Sequence, residues 1–337
     1  MKIDGSLRFE EAGIAEQARA AETAGYAAVW STEAGHDPFL PLAAAAGATE
    51  QLELGTGIAV AFARNPMNLA MMANDLHLLS KGRFILGMGS QIKPHITKRY
   101  SMPWSHPAPR MRELILAIRA IWESWATGGR LAFRGEFYTH TLMTPFFSPG
   151  PNPYGNPEIL LAGVGTLMTE VAGEAGDGLL AHPFTTPQYL REVSLPALLA
   201  GAARAGKDRG GLTVSLPGFV ATGSTDEDLD KAVTAVKRQI AFYGSTPAYR
   251  PVLDLHGWGD LQPELNTLSK RGDWEGMGRL IDDQVLEAFA VVTTSPGDVG
   301  NRVEARYGDL IDRFSLYLPY RMDEETSAAL LAGFTDR

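Results

Sequence analysis

The feature that most constrains the fold is a regular alternation between short apolar runs and helix-forming segments. Eight runs have the length and apolar character of buried strands, and each is followed by a helical pattern or an insertion. This alternation predicts βαβ units around a parallel sheet. Eight repeats in 337 residues predict an α/β fold, a (β/α)8 TIM barrel, as one domain over 1–337. The predicted strands are 2–7, 26–31, 52–61, 83–88, 158–163, 177–181, 212–221 and 311–318.

The main alternative is an open, doubly wound sheet of the kind that binds dinucleotides. Such a sheet carries a Gly-x-Gly-x-x-Gly turn before an early helix and an acidic residue about 20 residues later. This chain has no such combination. The barrel is therefore the favoured prediction.

Two insertions are predicted to interrupt the repeats. The clearest helix, at about 108–126, follows strand 4 and has apolar residues at offsets of three and four. Residues 128–157 come after it and are too rich in proline and glycine for a helix, so a small hairpin is expected there. Residues 243–285 follow helix 7, whose start at Thr225 and Asp228 resembles a capping box. Tyr243, Tyr249 and Trp258 of this second insertion are expected to cover a pocket or to contact a second subunit.

Composition limits the classes of partner. A net charge of −9 argues against nucleic-acid binding and gives no attraction to anionic membranes. The absence of cysteine excludes disulfides, thiolate nucleophiles and cysteine-ligated metals. No signal peptide or transmembrane run is visible, so a cytoplasmic protein is expected, acting on a small-molecule substrate, with a homodimer as its candidate assembly.

Barrel enzymes carry their active sites at the carboxyl ends of the strands. Strand 2 ends before Glu33, His36 and Asp37, which have the chemistry for proton transfer, although an aspartate before Pro38 is also a common helix cap. A metal site would recruit His36, Asp37, His95 and His182, but no tight ligand spacing supports one, so none is predicted. Arg64, after strand 3, has the simpler interpretation of a packing or surface residue.

Two further segments have the character of an anion site. Residues 160–170 join a strand to a helix through Gly163, Val164, Gly165 and Thr166, where backbone N–H groups and a helix N-terminus can meet a phosphate. This turn lacks the lysine of a P-loop, so by itself it indicates only a tight βα connection. Residues 93–112 concentrate lysine and arginine on an acidic protein and could attract an anionic ligand.

Three motifs stand in this order along the chain: L-G-T-G-x-x-V followed by N-P, then S-x-G-R-F-x-L-G-x-G, and then A-G-x-x-x-D-G. Together with the WSTEAGHDPFLPL segment that begins at the end of strand 2, they resemble the bacterial luciferase-like superfamily. The resemblance runs from the first predicted strand to the last, and it is closest to the oxidoreductases that depend on coenzyme F420, a deazaflavin. These motifs distinguish the superfamily well, but they separate F420 from FMN much less well.

The resemblance implies which residues bind the cofactor. A bulge after strand 3, often with a cis peptide bond not preceding proline, would support the ring at Gly57 and Ile58 or one residue away. Ser90 and Gln91 match the polar loop after strand 4 that contacts the ring in relatives. The turn that binds phosphate in relatives corresponds to Gly163, Val164, Gly165 and Thr166.

The chain departs from the family pattern at the expected chemistry. Relatives often have an acid followed directly by histidine after strand 2, whereas here Glu33 is followed by Ala34 and the histidine is His36. The sugar-phosphate dehydrogenases of the family have a glutamate where this chain has Ile92. Glu33 and His36 are the predicted catalytic residues for hydride exchange between F420 and an organic substrate. An FMN-dependent monooxygenase and a non-catalytic F420-binding protein are the alternatives, and a metal-dependent hydrolase is the outsider.

Overall fold

The structure is a computed structural model that describes residues 1–9 and 13–335, without the side chain of Thr335. These residues fall into two compact units. The first unit comprises 4–180 and 197–213, and the second comprises 1–3, 181–196 and 214–335. The prediction of a single domain over 1–337 stays a prediction.

The predicted strands are present in both units, with ends that differ by a few residues. The strand predicted over 52–61 is broken into β3 and β4, and the small hairpin predicted in the first insertion is formed by β6 and β7. The strand bounds are β1 Lys2–Leu7, β2 Ala28–Ser31, β3 Glu53–Thr56, β4 Ala59–Val60, β5 Phe84–Gly89, β6 Phe133–Arg134, β7 Thr139–His140, β8 Glu158–Gly163, β9 Gly178–Ala181, β10 Thr213–Thr222, β11 Ala290–Thr293 and β12 Arg313–Tyr317.

Helices follow most of these strands. The long helix predicted after strand 4 is α4, and the second insertion contains α9 to α11 and the start of α12, which its composition did not reveal. In the described parts of the chain, no helix has the length and apolar character needed to cross a membrane. The helix bounds are α1 Ile14–Thr23, α2 Phe39–Ala46, α3 Pro66–Leu79, α4 Pro107–Thr127, α5 Thr166–Glu174, α6 Pro187–Tyr189, α7 Leu195–Arg204, α8 Asp226–Gly244, α9 Arg250–Leu255, α10 Leu261–Arg271, α11 Trp274–Arg279, α12 Asp283–Phe289, α13 Val299–Tyr307 and α14 Glu324–Thr335.

The first unit is built on a parallel run of strands in the order β1-β2-β3-β5-β8-β9. Side chains from successive strands meet in one apolar cluster of Trp30, Ile85, Leu160 and Leu180. The indole of Trp30 donates a hydrogen bond to Asp4 Oδ2 at 2.9 Å, which fixes the ring in its buried position.

Two glycines of the sequence motifs lie where neighbouring atoms leave no room for a side chain. A Cβ at Gly55 would lie 2.3 Å from the ring of Trp30, and one at Gly87 would lie 1.8 Å from the carbonyl oxygen of Thr56. Neither distance is tolerable for a side chain, so both strands need glycine to pack at this depth. The glycines are therefore part of a tightly packed sheet and do not weaken it.

The second unit contains its own strand run and core. Its strand order is β11-β10-β12, and β10 pairs through Ser215–Phe219 with β12 and through Phe219–Thr222 with β11. Helices α8 to α12 pack around a core that includes Phe184, Phe219 and Phe289. The side chain of Thr225 accepts a hydrogen bond from the N–H of Asp228, which confirms the predicted helix cap.

Candidate functional site

The site begins with a break between β3 and β4, where the chain leaves the regular strand. The peptide bond between Gly57 and Ile58 is cis, which agrees with the bulge implied there by the resemblance. The end of β2 and the loop after it hold this break through three hydrogen bonds. The Gly57 N–H donates to Ser31 at 2.8 Å, the Thr32 hydroxyl donates to the Gly57 carbonyl at 2.9 Å, and the Glu33 N–H donates to the Ile58 carbonyl at 3.2 Å.

The carboxylate of Glu33 holds the other side of the same break. Its Oε2 accepts hydrogen bonds from the Val60 N–H at 2.7 Å and from Arg64 at 2.6 Å, and its Oε1 accepts from the Tyr100 hydroxyl at 2.9 Å. The side chain of Glu33 is only 7% exposed. Three donors, one of them a guanidinium, therefore hold this carboxylate in place.

Arg64 joins two acidic residues that the sequence places after strand 2. Besides Glu33, it contacts Asp37 at 3.1 Å, and its guanidinium lies 5.3 Å from the ring centre of Phe39. Asp37 also accepts hydrogen bonds from the N–H groups of Phe39 and Leu40 at the start of α2, as its position before Pro38 predicted. Arg64 is thus an organising residue of the site, and its interpretation as a plain packing or surface residue was incomplete.

Tyr100 is a donor to this network that sequence analysis did not identify. Burial first, and then the hydrogen bond and charge of Glu33, raise the pKa of Tyr100. The phenol therefore stays protonated and donates. Arg99 anchors the same loop, because it donates to the Ala34 carbonyl and lies over the Tyr100 ring. No periodic pattern marks such a residue, since its partner is 67 positions away.

His36 does not join the Glu33 network in the described structure. It is exposed, and its ring stacks on Phe9 with a centroid distance of 4.5 Å. The two predicted catalytic residues therefore have different environments. Glu33 is enclosed and accepts three hydrogen bonds, whereas His36 is exposed.

The loop after β5 places Ser90 and Gln91 next to the break. Gln91 has a φ of 58°, a left-handed conformation that is uncommon outside glycine. Its own side chain accepts from the Ile92 N–H at 3.0 Å, and the Ser90 hydroxyl donates to the Gln91 carbonyl at 3.0 Å. Before them, a Cβ at Gly89 would lie 2.7 Å from Ile58 Cδ1, so the glycine allows Ile58 to cross the end of β5.

The turn predicted to bind phosphate connects β8 to α5. Gly165 is the N-cap of α5 and has no side chain to cap it, and a Cβ there would meet nothing within 4 Å. In the described structure, the N–H groups of Thr166, Leu167 and Met168 have no hydrogen-bond acceptor, as is usual for the first turn of an uncapped helix. The turn is therefore open, donor-rich and able to accept an anion.

This turn lies next to the apolar surface made by the break. A Cβ at Gly89 would lie close to both Ile58 and Ala162, so these two side chains border the same point. Ala162 comes directly before the turn that starts at Gly163. The structure thus places Ile58 and Ala162, which we call the apolar ledge, near the N-terminus of α5 at the carboxyl ends of the first unit's strands.

The basic stretch over 93–112 divides into two groups. Arg110 is buried and donates to Tyr138 and Pro103, while Arg112 pairs with Glu174 at 2.7 Å. Lys93 and Lys98 are exposed, and neither has an ion pair within the described residues. Only part of the predicted basic stretch is therefore available to an anionic ligand.

His182, Tyr243 and Tyr249 form a separate polar cluster in the second unit. Tyr249 Oη lies 3.1 Å from His182 Nε2, and the rings of His182 and Tyr243 are 4.7 Å apart. Trp258 instead stacks on His256. Within residues 1–9 and 13–335, no three His, Asp or Glu side chains come together as a metal-binding group.

Comparison with known proteins supports the fold and the family. The chain is 57% identical over 307 residues to an uncharacterized protein of Mycobacterium tuberculosis, covering 90% of each chain. It is 30% identical over 293 residues to a 5,10-methylenetetrahydromethanopterin reductase of Archaeoglobus fulgidus, covering 84% of this chain and 82% of the relative.

Solved structures confirm the predicted (β/α)8 barrel as the fold class. The coenzyme F420-dependent tetrahydromethanopterin reductase of Methanopyrus kandleri is similar with a TM-score of 0.79 and 21% identity, over 98% of this chain and 97% of that one. An FMN-bound Baeyer–Villiger monooxygenase component of Pseudomonas putida is similar with a TM-score of 0.68 and 18% identity, over 99% and 97%. The family model for luciferase-like monooxygenases matches residues 5–313. The chain therefore belongs to the luciferase-like monooxygenase family, and its similarity to F420-dependent reductases supports the F420-dependent branch.

Proposed function

We propose that the protein is an oxidoreductase that exchanges a hydride between coenzyme F420 and a small organic substrate. The observation that carries this proposal is the apolar ledge of Ile58 and Ala162 beside the open N-terminus of α5. A ligand that fits both features has a flat ring and a phosphate, as F420 does. When bound, the deazaflavin supplies or accepts the hydride at its C5 atom.

The residues of the first unit have three roles in this proposal. Ile58 contacts the ring, and Ser90 and Gln91 provide polar contacts at the end of β5. The turn from Gly163 to Thr166 binds the phosphate through N–H groups, and the positive end of the α5 dipole favours that charge. Glu33 positions the ledge, because its three donors occupy its carboxylate. His36 is the residue of the predicted pair that is free to move a proton.

A second candidate function, an FMN-dependent monooxygenase, is favoured by the FMN-bound structural neighbour. FMN also combines a flat ring with a phosphate, so the ledge and turn do not by themselves select the cofactor. A non-catalytic F420-binding protein remains the third hypothesis. Titration of the purified protein with F420 and with FMN separates the first two, and we expect F420 to bind at least tenfold more tightly. Oxidation of reduced F420 by any organic acceptor would rule out the third.

The phosphate site can be tested with a matched pair of variants. Gly165 and Gly13 are both N-cap residues with extended backbone angles, no side-chain cap and open space around a Cβ. In G165D, the new carboxylate would occupy the helix N–H groups and repel a phosphate. We expect the F420 dissociation constant to rise at least tenfold, while thermal stability is kept.

The control variant G13D adds the same capping carboxylate at the start of α1. We expect its F420 affinity to equal that of the wild type. Calorimetric titration of both variants measures the effect directly. Unchanged affinity in G165D would show that the cofactor's anionic tail binds elsewhere.

A further inference from the structure

The first insertion presents large apolar side chains to solvent. Phe146 is 89% exposed and Phe147 is 70% exposed, and their rings meet edge to face with centroids 5.1 Å apart. Leu142, four residues earlier, is 76% exposed. Single apolar side chains at a surface need no explanation, but a contiguous exposed apolar patch marks an interaction site. The function proposed above uses none of these residues.

The neighbouring surface of α3 is apolar as well. Leu78 and Leu79 follow Met71 by seven and eight positions, so the three exposed side chains lie on one side of the helix. Met71 and Trp125 line a groove of about 250 Å³ together with the two phenylalanines, and this groove joins α3 to the insertion. We call the combined surface the insertion patch, and it consists of Met71, Leu78, Leu79, Leu142, Phe146 and Phe147.

The insertion patch is held in place by contacts within the first unit. The indole N–H of Trp125 donates to Met143 Sδ at 3.4 Å, and the Asn152 side-chain amide donates to both oxygens of Asn74 at 3.1 Å. Five of the 17 residues over 141–157 are prolines, which restrict the backbone between and around these contacts. The patch is therefore formed before any partner binds, and association would order few additional groups.

Charged residues are depleted in the same part of the chain. Residues 137–157 contain no Asp, Glu, Lys or Arg, although 20% of the chain is charged and 21 residues would on average carry about four. In α3 the only such residue is Asp75, which borders the groove. An apolar centre without charges and a polar rim are typical of a protein–protein interface. Without Lys or Arg, the insertion has nothing to attract an anionic membrane.

The area of the insertion patch is sufficient for a stable dimer. At about 200 Å² for a fully exposed side chain of this size, its six side chains expose roughly 800 Å². The largest apolar patch on a typical monomer is about 300–600 Å². A standard-size interface takes about 800 Å² from each partner. The insertion patch therefore exceeds what a monomer normally leaves open and equals one side of such an interface.

We propose that the insertion patch is the interface of a homodimer, in which a second copy of this chain packs the same patch against it across a two-fold axis. The patch has a protruding pair of rings beside a groove, so each copy can place a ring in the groove of the other. This assigns the subunit contact to the first insertion and not to the second, whose Tyr243, Tyr249 and Trp258 are only partly exposed. The inference does not depend on the proposed function.

The first test measures the mass of the protein by sedimentation equilibrium at micromolar concentration. We expect twice the mass of one chain for the wild type. In F146D/F147D, carboxylates would be buried without partners, so we expect the dimer dissociation constant to rise about 100-fold or more. Circular dichroism should show an unchanged fold, because both positions are exposed. The control variant L167D/L199D adds the same charges at exposed leucines on α5 and α7 and should stay dimeric.

Three results of this first test would overturn the proposal. They are a monomeric wild type, a dimer that persists in F146D/F147D, and a control variant that dissociates as readily as F146D/F147D. Vesicles of phosphatidylcholine are added in a parallel experiment. A monomeric wild type that sediments with these vesicles would assign the patch to a membrane surface instead.

The second test locates the contact by cross-linking. The chain has no cysteine, so each variant F147C and L199C carries a single thiol. With a short bis-maleimide, we expect F147C to form a covalent dimer and L199C to stay a single chain on a denaturing gel. In F146D/F147C the cross-linked fraction should fall at least about tenfold, because the dimer is weakened. Absence of cross-linking in F147C, or equal cross-linking in L199C, would contradict the proposed interface. Neither test uses F420, so both results stand whether or not the protein binds that cofactor.

Discussion

The two ends of the first unit's strands are built in opposite ways. At the amino end, the guanidinium of Arg83 makes five hydrogen bonds, to Ala46, Thr49, Leu52 and Ser80. Every nitrogen of that guanidinium is used. At the carboxyl end of the same strands, the N–H groups that begin α5 have no acceptor in the described residues, and two lysines there have no ion pair.

Carboxylates are bonded at both ends, but they hold different parts of the chain. At the amino end, Glu22 Oε1 accepts from three successive N–H groups, those of Glu50, Gln51 and Leu52. Also at that end, Asp177 pairs with Arg119 at 2.8 Å and accepts from the Ile159 N–H. At the carboxyl end, Glu33 is fully bonded too, but it holds an irregular break that has no regular strand partner.

The difference shows that the family motifs contain two kinds of residue. Arg83 and Asp177, from S-x-G-R-F and A-G-x-x-x-D-G, lie at the amino end and stabilise the sheet. Gly57, from L-G-T-G-x-x-V, lies at the carboxyl end in the break between β3 and β4, and Gly165, in the turn after β8, leaves the first N–H groups of α5 without a side-chain cap. This division agrees with the general rule for barrels, in which one end serves stability and the other function.

The largest expected effect is the loss of stability on replacing Arg83, at the amino end of the strands. In R83A, buried carbonyl oxygens would lose their donors, and each unsatisfied group costs about 1–3 kcal/mol. We expect the free energy of unfolding in urea to fall by about 3 kcal/mol. The F420 affinity of the folded protein should change less than twofold.

Arg130 supplies the control for this comparison, because it is exposed and has no hydrogen bond or ion pair within the described residues. R130A should unfold at the same urea concentration as the wild type. The division between the two ends would be broken if R83A were as stable as R130A, or if its main defect were in cofactor binding.

An intermediate effect is expected at the carboxyl end. E33Q keeps the size of the side chain but removes the charge that pairs with Arg64 and accepts from Tyr100. The apolar ledge would be held less firmly, and we expect the F420 dissociation constant to rise about tenfold. This change corresponds to a loss of about 1.4 kcal/mol of binding free energy. Fluorescence titration measures this change. E123Q, at an exposed position on α4, should bind F420 as the wild type does, and equal affinity in E33Q and E123Q would remove Glu33 from the site.

The smallest expected effect is on the pH dependence of stability, through Glu22 at the amino end of the strands. Burial would raise the pKa of Glu22, but hydrogen bonds from the N–H groups of Gln51, Leu52 and Glu50 lower it below its ordinary value of 4.5. A carboxyl group with a lowered folded pKa stabilises the protein above the unfolded pKa. This stability is lost as the pH falls through the folded value.

E22Q should therefore lose less stability than the wild type when the pH is lowered from 6.5 to about 3.5. E16Q, in the same helix at an exposed position, should follow the wild type. Urea unfolding at both pH values gives the comparison. If E22Q and the wild type lost equal stability, the Glu22 contacts would not be important near pH 4.

Local pattern was sufficient for most of the fold. All eight predicted strands are present, because short apolar runs bounded by glycine and proline are set by nearby residues. The break at Gly57 and Ile58 was also located from motif position. The strand β11 was missed, since Ala290–Thr293 follows a helix without a turn signal, and within the described residues it pairs with the end of β10. The helices α9 to α12 were missed as well.

The site itself was predictable only in part. Position after a strand was enough to select Glu33 and the turn from Gly163 to Thr166, because a barrel places all carboxyl strand ends on one side. Whether Glu33 and His36 act on substrate stays a prediction. The hydrogen bond from Tyr100 to Glu33 could not be predicted, because the two residues are 67 positions apart and no local pattern connects them.

The strands and the helix that begins after Gly165 follow from local sequence, since both depend on neighbouring residues. Which polar atoms have partners depends on contacts between distant parts of the chain. Arg64 and Tyr100 donate hydrogen bonds to Glu33, and the ring of His36 stacks on Phe9. Hydrogen bonds act over about 3 Å in space and ignore distance along the chain, so chemistry at the site follows from folding as a whole.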